Sequence, residues 1–359
     1  MRVLVLTKRL SRGGAAKLIY ELAISDMPDD VGIDIAVMSR DIDIYSELLT
    51  KNGVNVQFVE FKSILSLSSI IRLARLFKLY DIVHVHLFPA FYVAAIAKYF
   101  SRSNNIFVYT EHNTHNRRRS IGFFYYIERV IYGSYDAVVC ISQPVARSLE
   151  SWMPPVRDKI HVIDNGVDVK GVSVSAPADD ILDLKKQYDD PVLVLMAGAF
   201  EFRKDHRTLV AAIARLPVKF HLVLAGEGRL KASVQDYARE LGVDSRVHFL
   251  GFRKDMASVM KACDVYVQSS SWEGFGLVAV EAMASQLPVV ASDVEGLADV
   301  VGDAGLLFPP GDASTLSECI EEAWASSEPL VIKGSQRALL YDSSVFVDKH
   351  VDLYRSLIQ

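Results

Sequence analysis

Glu273 and Glu281 flank a glycine-bearing turn within Asp264–Ala284, which reads DVYVQSSSWEGFGLVAVEAMA. Ionised carboxylates only accept hydrogen bonds, so two of them beside a turn can receive hydroxyls. Val265-Tyr266-Val267 is an apolar, β-branched run and predicts a buried strand. Leu277–Ala284 is rich in helix formers and predicts a helix. Gly274 and Gly276 allow the backbone between them, which carries Phe275, to approach a ligand closely. The free N–H groups of the helix opening at Leu277 would favour an anion there. Phosphate on the backbone and hydroxyls on the carboxylates suit a ribose or sugar attached to a diphosphate. An ordinary strand–turn–helix unit with surface glutamates gives the same local pattern.

Other positions add candidate chemistry. Gly198–Asp205 (GAFEFRKD) ends the first strand of the second half, and its adjacent Arg203 and Lys204 can neutralise a diphosphate or simply cover a solvated turn. His112, in Thr110-Glu111-His112-Asn113, follows a predicted strand, and strand ends face the crevice of an open α/β sheet. A satisfied core histidine is the alternative there. Gly13-Gly14 follows the first strand and precedes a helix, a place where glycines can cradle phosphate. His84 and His86 share one face of a strand, and packing is the better reading because no third metal ligand lies nearby. Asp41-Ile42-Asp43 is an Asp-x-Asp tripeptide in a loop and reads as solvated.

The Glu-x7-Glu spacing with Gly-Phe-Gly between resembles the donor-site motif of retaining GT-B glycosyltransferases, in particular glycosyltransferase family 4. Asn165-Gly166-Val167-Asp168 is similar to that family's interdomain signature, and Glu295-Gly296-Leu297 with Asp299 to its glycine turn followed by an acid. The resemblance implies two Rossmann-like α/β domains facing each other across a cleft. Residues 1–168 would form an acceptor-binding domain and 169–342 a nucleotide-sugar-binding domain. Residues 343–359 would form a helix crossing back to the first domain. It implies that Lys204 binds the donor phosphates, that Glu273 binds the sugar and Glu281 the ribose, and that His112 contacts the sugar. The backbone at Gly251 and Phe252 would lie against the base, with Gly14 facing the diphosphate. Where the family carries an arginine this chain has Ala199, and Arg203 is the candidate replacement.

The implied activity is retaining, metal-independent hexosyl transfer without a cofactor. The donor would be a UDP-sugar first and a GDP-sugar second, and the acceptor a lipid-linked or other glycan of surface polysaccharide assembly. An epimerase of the same fold would release free sugar. A non-catalytic partner subunit would bind nucleotide sugar without turnover.

These residues need a scaffold. Arg2–Thr7, Ile33–Met38, Val54–Val59, Ile82–His86, Ile106–Thr110 and Ala137–Ile141 predict strands in the first half. Val192–Met196, Phe220–Leu224, Val247–Leu250, Val265–Val267 and Pro288–Ala291 do so in the second. Helical segments between them call for parallel sheets with right-handed crossovers. Asn165–Asp190 reads as the linker, and Ser343–Gln359 carries Val347, Val351, Tyr354 and Ile358 at helical spacing.

A length of 359 residues suits two domains, and 50% hydrophobic with 23% charged residues is an ordinary globular balance. Three scattered cysteines predict a reducing compartment without disulfides. With no signal-peptide or membrane-spanning stretch, a soluble cytoplasmic protein is expected. The net charge of −5 divides into about +4 up to residue 165 and about −9 beyond it. Ile70–Leu79 is a basic amphipathic segment, read first as a sheet-packed helix. Arg117, Arg118 and Arg119 beside Ile121–Tyr126 suggest peripheral contact with an anionic membrane surface. No nucleic-acid partner is expected.

Overall fold

A computed structural model describes the chain except residues 12, 26, 40, 42, 62–65 and 115 and the side chain of Arg117. The described residues form two compact units, Met1–Gly166 with Ser343–Gln359, and Val167–Asp342.

The first unit holds β1 (Arg2–Thr7), β2 (Gly32–Val37), β3 (Val56–Phe58), β4 (Ile82–His86), β5 (Ile106–Glu111), β6 (Ala137–Cys140) and β7 (Ile160–Val162). They pair in parallel in the order β3-β2-β1-β4-β5-β6-β7. The second unit holds β8 (Val192–Ala197), β9 (Phe220–Ala225), β10 (Val247–Gly251), β11 (Val265–Gln268), β12 (Val289–Ser292) and β13 (Leu306–Phe308), in the order β10-β9-β8-β11-β12-β13. β4, β8 and β9 are buried at every position, as helices on both faces of a parallel sheet require. Met196, Phe220, Leu222, Val265, Val267 and Phe308 pack in one cluster of the second unit. At roughly 1.5–3 kcal/mol per fully buried large apolar side chain, such cores outweigh exposed ion pairs in holding a unit together.

Each sheet reverses its strand order once, between β1 and β4 and between β8 and β11. The carboxyl ends of those strands border the crevice where ligands of open α/β sheets bind. Lys204 lies just beyond β8, and Glu273 just beyond β11. His86 ends β4, and His112 follows the adjacent β5.

The structure differs from the sequence reading in two places. β7 and β13 were not expected; both are three-residue strands at sheet edges, too short to show a period. Asn165–Asp190, read as the linker, contains the helices Val169–Ser173 and Asp179–Lys186 and from Val167 onward is part of the second unit. Asp168 Oδ1 caps the first by accepting from Gly171 N at 2.8 Å, and Val169, Val172 and Ile181 are buried. Their short apolar faces are masked in the sequence by the Gly, Ser and Asp residues around them.

The helix Ser343–Ile358 belongs to the first unit. It buries Phe346, Val347, His350, Val351 and Tyr354. Arg355 reaches Asp30 at 2.8 Å.

Candidate functional site

In the second unit the loop after β8 and the loop after β11 are tied together through the carbonyls of Arg203, Lys204 and Asp205. Ser271 N donates to Arg203 O at 2.7 Å, and Ser269 Oγ donates to Lys204 O at 3.2 Å and Asp205 O at 3.0 Å. These bonds carry Arg203 and Lys204 to Glu273. The buried Glu273 Oε1 accepts from Lys204 Nζ, from Gln268 Nε2 at 2.9 Å and from Ser270 Oγ at 2.9 Å. Oε2 accepts from Arg203 at 3.1 Å. Burial works to raise the Glu273 carboxyl, but Lys204 and Arg203 outweigh it and hold the group below the usual carboxylate range. Burial pulls the Lys204 ammonium below its ordinary value too, and Arg203 adds to this while Glu273 opposes it. Both partners shift down: at the ammonium burial, helped by Arg203, outweighs Glu273, whereas at the carboxylate the two cations outweigh burial. The direction for Glu273 is the one that fixes its state: it is an ionised carboxylate with one crowded oxygen, while its other oxygen meets a single partner among the described residues, the partly exposed Arg203.

Gln268 escaped the sequence reading. Its side chain is fully buried, accepts from Tyr266 Oη and donates to Glu273 and Ser270. The available signal was a lone amide ending an apolar strand, because a buried amide must find partners. Burial, then the nearby charges of Glu281 and Glu273, push the Tyr266 phenol well above its ordinary value.

The turn itself requires glycine. Gly276 has φ +107°, and a Cβ there would meet Leu297 Cδ1 at 2.6 Å. Gly296 has φ +82°, and a Cβ there would meet Glu273 O at 2.6 Å. The 296–297 turn thus presses against the backbone of Glu273–Gly276 and holds it in place. Leu277–Ala284 follows as a helix with no side-chain cap, and carries the buried Glu281. Gly251 and Phe252 close β10, two strands away from β8 at the sheet edge.

In the first unit His112 Nε2 is 3.1 Å from His86 Nδ1. His84 is held at Nδ1 by Tyr354 Oη and at Nε2 by Thr110 Oγ1, both at 2.6 Å. Burial pushes His112 and His350 down to about 4, and His84 and His86 well below their ordinary value. All four rings are therefore neutral near pH 7. Among the described residues no group of three His, Cys, Asp or Glu side chains is placed to hold a metal ion. Gly14 opens the helix Gly14–Ile24, whose Leu18 lines a small cavity with His86 and His112. A second hollow of about 210 Å³ lies beside His112, with Phe88, Asn113, Asn116 and Arg118 among its walls.

Arg118 and Arg119 behave otherwise than expected. Arg118 Nε donates to the buried Glu128 at 2.5 Å, and Arg119 donates to the buried Glu111 at 3.1 Å. An unpaired buried carboxylate is costly, so these two cations turn inward. The side chain of Arg117 lies outside the described residues. Beside the exposed Arg129, the segment exposes the large apolar side chains of Ile121, Phe123, Tyr126 and Val130. Leu67–Phe77 packs as a helix on its Ile70, Leu73 and Phe77 face. Of Asp41-Ile42-Asp43, Ile42 lies outside the described residues, Asp41 pairs with Arg9 at 3.0 Å, and Asp43 precedes the helix Ile44–Lys51. Among the described residues no helix is long and apolar enough to cross a membrane.

Comparison with known proteins places this geometry. The model of the family described as Glycosyltransferase Family 4 matches residues 12–170, and that of Glycosyl transferases group 1 matches 179–333. The chain is 29% identical to the putative glycosyltransferase EpsD of Bacillus subtilis, over 77% of this chain and 76% of that one. It is 34% identical to the lipopolysaccharide core biosynthesis glycosyltransferase LpsE of Rhizobium meliloti, over 54% and 55% of the two chains. Among solved structures it is similar to HepE of Anabaena in complex with UDP and glucose, with a TM-score of 0.87, 22% identity, and 99% and 100% of the chains covered. One family model falls on each compact unit and the whole chain follows the fold of such structures: it belongs to the family 4 glycosyltransferases and has the GT-B fold.

Proposed function

We propose that this chain transfers a sugar from a UDP-sugar to a hydroxyl of a glycan or lipid-linked acceptor, with retention of anomeric configuration and without a metal ion. The observation that carries the reading is the cluster of Lys204, Arg203 and Glu273 at the strand reversal of the second sheet, beside the uncapped helix start at Leu277. Two cations and free amides converge where a diphosphate leaves, and they stabilise the charge that develops there. Glu273 Oε2 takes sugar hydroxyls, Glu281 the ribose, and Gly251 and Phe252 the base, with Gly14 near the phosphates. His112 contacts the sugar. The bond from the anomeric carbon to the diphosphate breaks, and the acceptor oxygen bonds to that carbon on the same face. The acceptor proton passes to the departing phosphate oxygen. Inversion would require a general base, and His112, pushed down to about 4, is a weak one near pH 7.

The HepE complex with UDP and glucose supports the donor, and the lipopolysaccharide role in the name of LpsE supports the acceptor class. Names of this kind do not favour an epimerase or a non-catalytic subunit. The test is NMR of the first product formed from an α-linked UDP-sugar. An α-glycoside is expected, and a β-glycoside would overturn the mechanism. An anionic membrane surface remains part of the acceptor reading, carried now by exposed Phe123 and Tyr126 beside Arg129. Phe123→Ser with Tyr126→Ser is expected to reduce pelleting with anionic vesicles. Equal pelleting of the unaltered protein with neutral and anionic vesicles would sink that part.

A further inference from the structure

His112 does not stand alone, and the group behind it is unusual. β4 and β5 pair in parallel with His84 opposite Val108 and His86 opposite Thr110. That register places the ring of His86 beside the residue that follows β5. His86 Nδ1 lies 3.1 Å from His112 Nε2. The His84 ring also packs against His86, with centroids 4.3 Å apart, and is itself held at both nitrogens. His86 is thus fully buried and confined by its neighbours.

Its other nitrogen, Nε2, is buried and has no hydrogen-bond partner among the described residues. The same holds for Oδ1 of Asn165. Both residues line one cavity of about 10 Å³, walled otherwise mainly by apolar side chains such as Ile141, Ile163 and Phe346. A cavity of that size is just large enough for one water, for which His86 Nε2 and Asn165 Oδ1 are two polar partners. Left unpaired, each buried polar atom would carry its full desolvation cost.

We propose that His86 is a positioning residue for His112: it occupies His112 Nε2, is anchored at its own Nε2 by a buried water shared with Asn165, and so leaves His112 Nδ1 as the nitrogen that meets a ligand. Two neutral imidazoles share a single proton across that contact, so whichever tautomer the water and Asn165 favour in His86 sets the tautomer of His112. A neutral His112 in a single tautomer offers a sugar hydroxyl one defined partner. The catalytic consequence rests on the reading that His112 contacts the donor sugar; the tautomer lock does not.

Long-range 1H–15N NMR of the full chain reads the lock directly. The unaltered protein is expected to show His112 as one neutral tautomer at pH 7, and His86→Leu to show a mixture. A mixture in the unaltered protein overturns the proposal. His86→Asn, whose amide sits near the place of Nδ1, is expected to restore the single tautomer; a mixture there also counts against it. The second arm measures kcat for slow hydrolysis of UDP-glucose. His86→Leu is expected to lower kcat about tenfold with KM for UDP-glucose little changed, the size of effect seen for groups standing behind a functional histidine. In a His112→Ala background the same change is expected to do nothing further. An equal loss there shows that His86 acts through the fold and sinks its positioning role. If His112→Ala alone leaves kcat unchanged, the reading of His112 fails, while the NMR arm still decides whether His86 locks it.

Discussion

The two units build their candidate sites from opposite materials. In the second unit a buried carboxylate is held by Lys204, Arg203, Gln268 and Ser270, and the cluster is ionised. In the first unit His84, His86, His112 and His350 lie together, and burial keeps them neutral. Each site suits a different task. Charge held in a dry pocket acts strongly on a phosphate. A neutral ring can bond to a hydroxyl without competing for the anion. The same fold, with a strand reversal in each sheet, hosts both because the loops after the strands decide the chemistry.

The contrast can be broken most sharply at Glu273. Glu273→Ala strands the buried Lys204 and is expected to cost about 3–5 kcal/mol in urea unfolding of the second unit, with less loss when Lys204→Met is added. Equal losses would mean the pair is not a unit. Lys204→Ala is expected to weaken UDP binding by roughly 1.5–3 kcal/mol, the range for a charge-assisted contact. Unchanged affinity by calorimetry removes Lys204 from the phosphate site.

The neutral cluster answers to pH. A histidine with a depressed folded pKa takes up its proton in the unfolded chain first, so its contribution falls as pH drops below about 6.5 towards the folded value. For His350, pushed down to about 4, the expected loss between pH 7 and pH 5 is about 2 kcal/mol. His350→Phe should flatten the drop by that amount; an unchanged pH slope would show that His350 takes up its proton at the same pH in the native and unfolded states. Tyr354→Phe removes one partner of His84 and is expected to cost about 1 kcal/mol. The smallest effect concerns metal: EDTA should leave transfer unaltered, and activity restored by manganese after EDTA treatment would reassign the neutralising role given to Lys204 and Arg203.

Much of this was readable in one dimension. The alternation of buried strands and helices follows from apolar runs such as Val192–Ala197 and Phe220–Ala225, which report burial residue by residue. The Gly-Phe-Gly turn and its glutamates are local, as is His112 at a strand end. The three-residue edge strands and the short helices after Val167 carry too little pattern to stand out.

What the sequence by itself determined, then, is each element and the residues at its end, because periodicity and turn chemistry act over a few positions. Only the tertiary structure decided partners. Lys204 and Glu273 are 69 residues apart, His86 and His112 are 26 apart, and Tyr354 reaches back 270 residues to His84. The order and register of parallel strands choose those meetings. So does the cost of leaving Glu111 or Glu128 buried without a cation, which draws Arg119 and Arg118 inward.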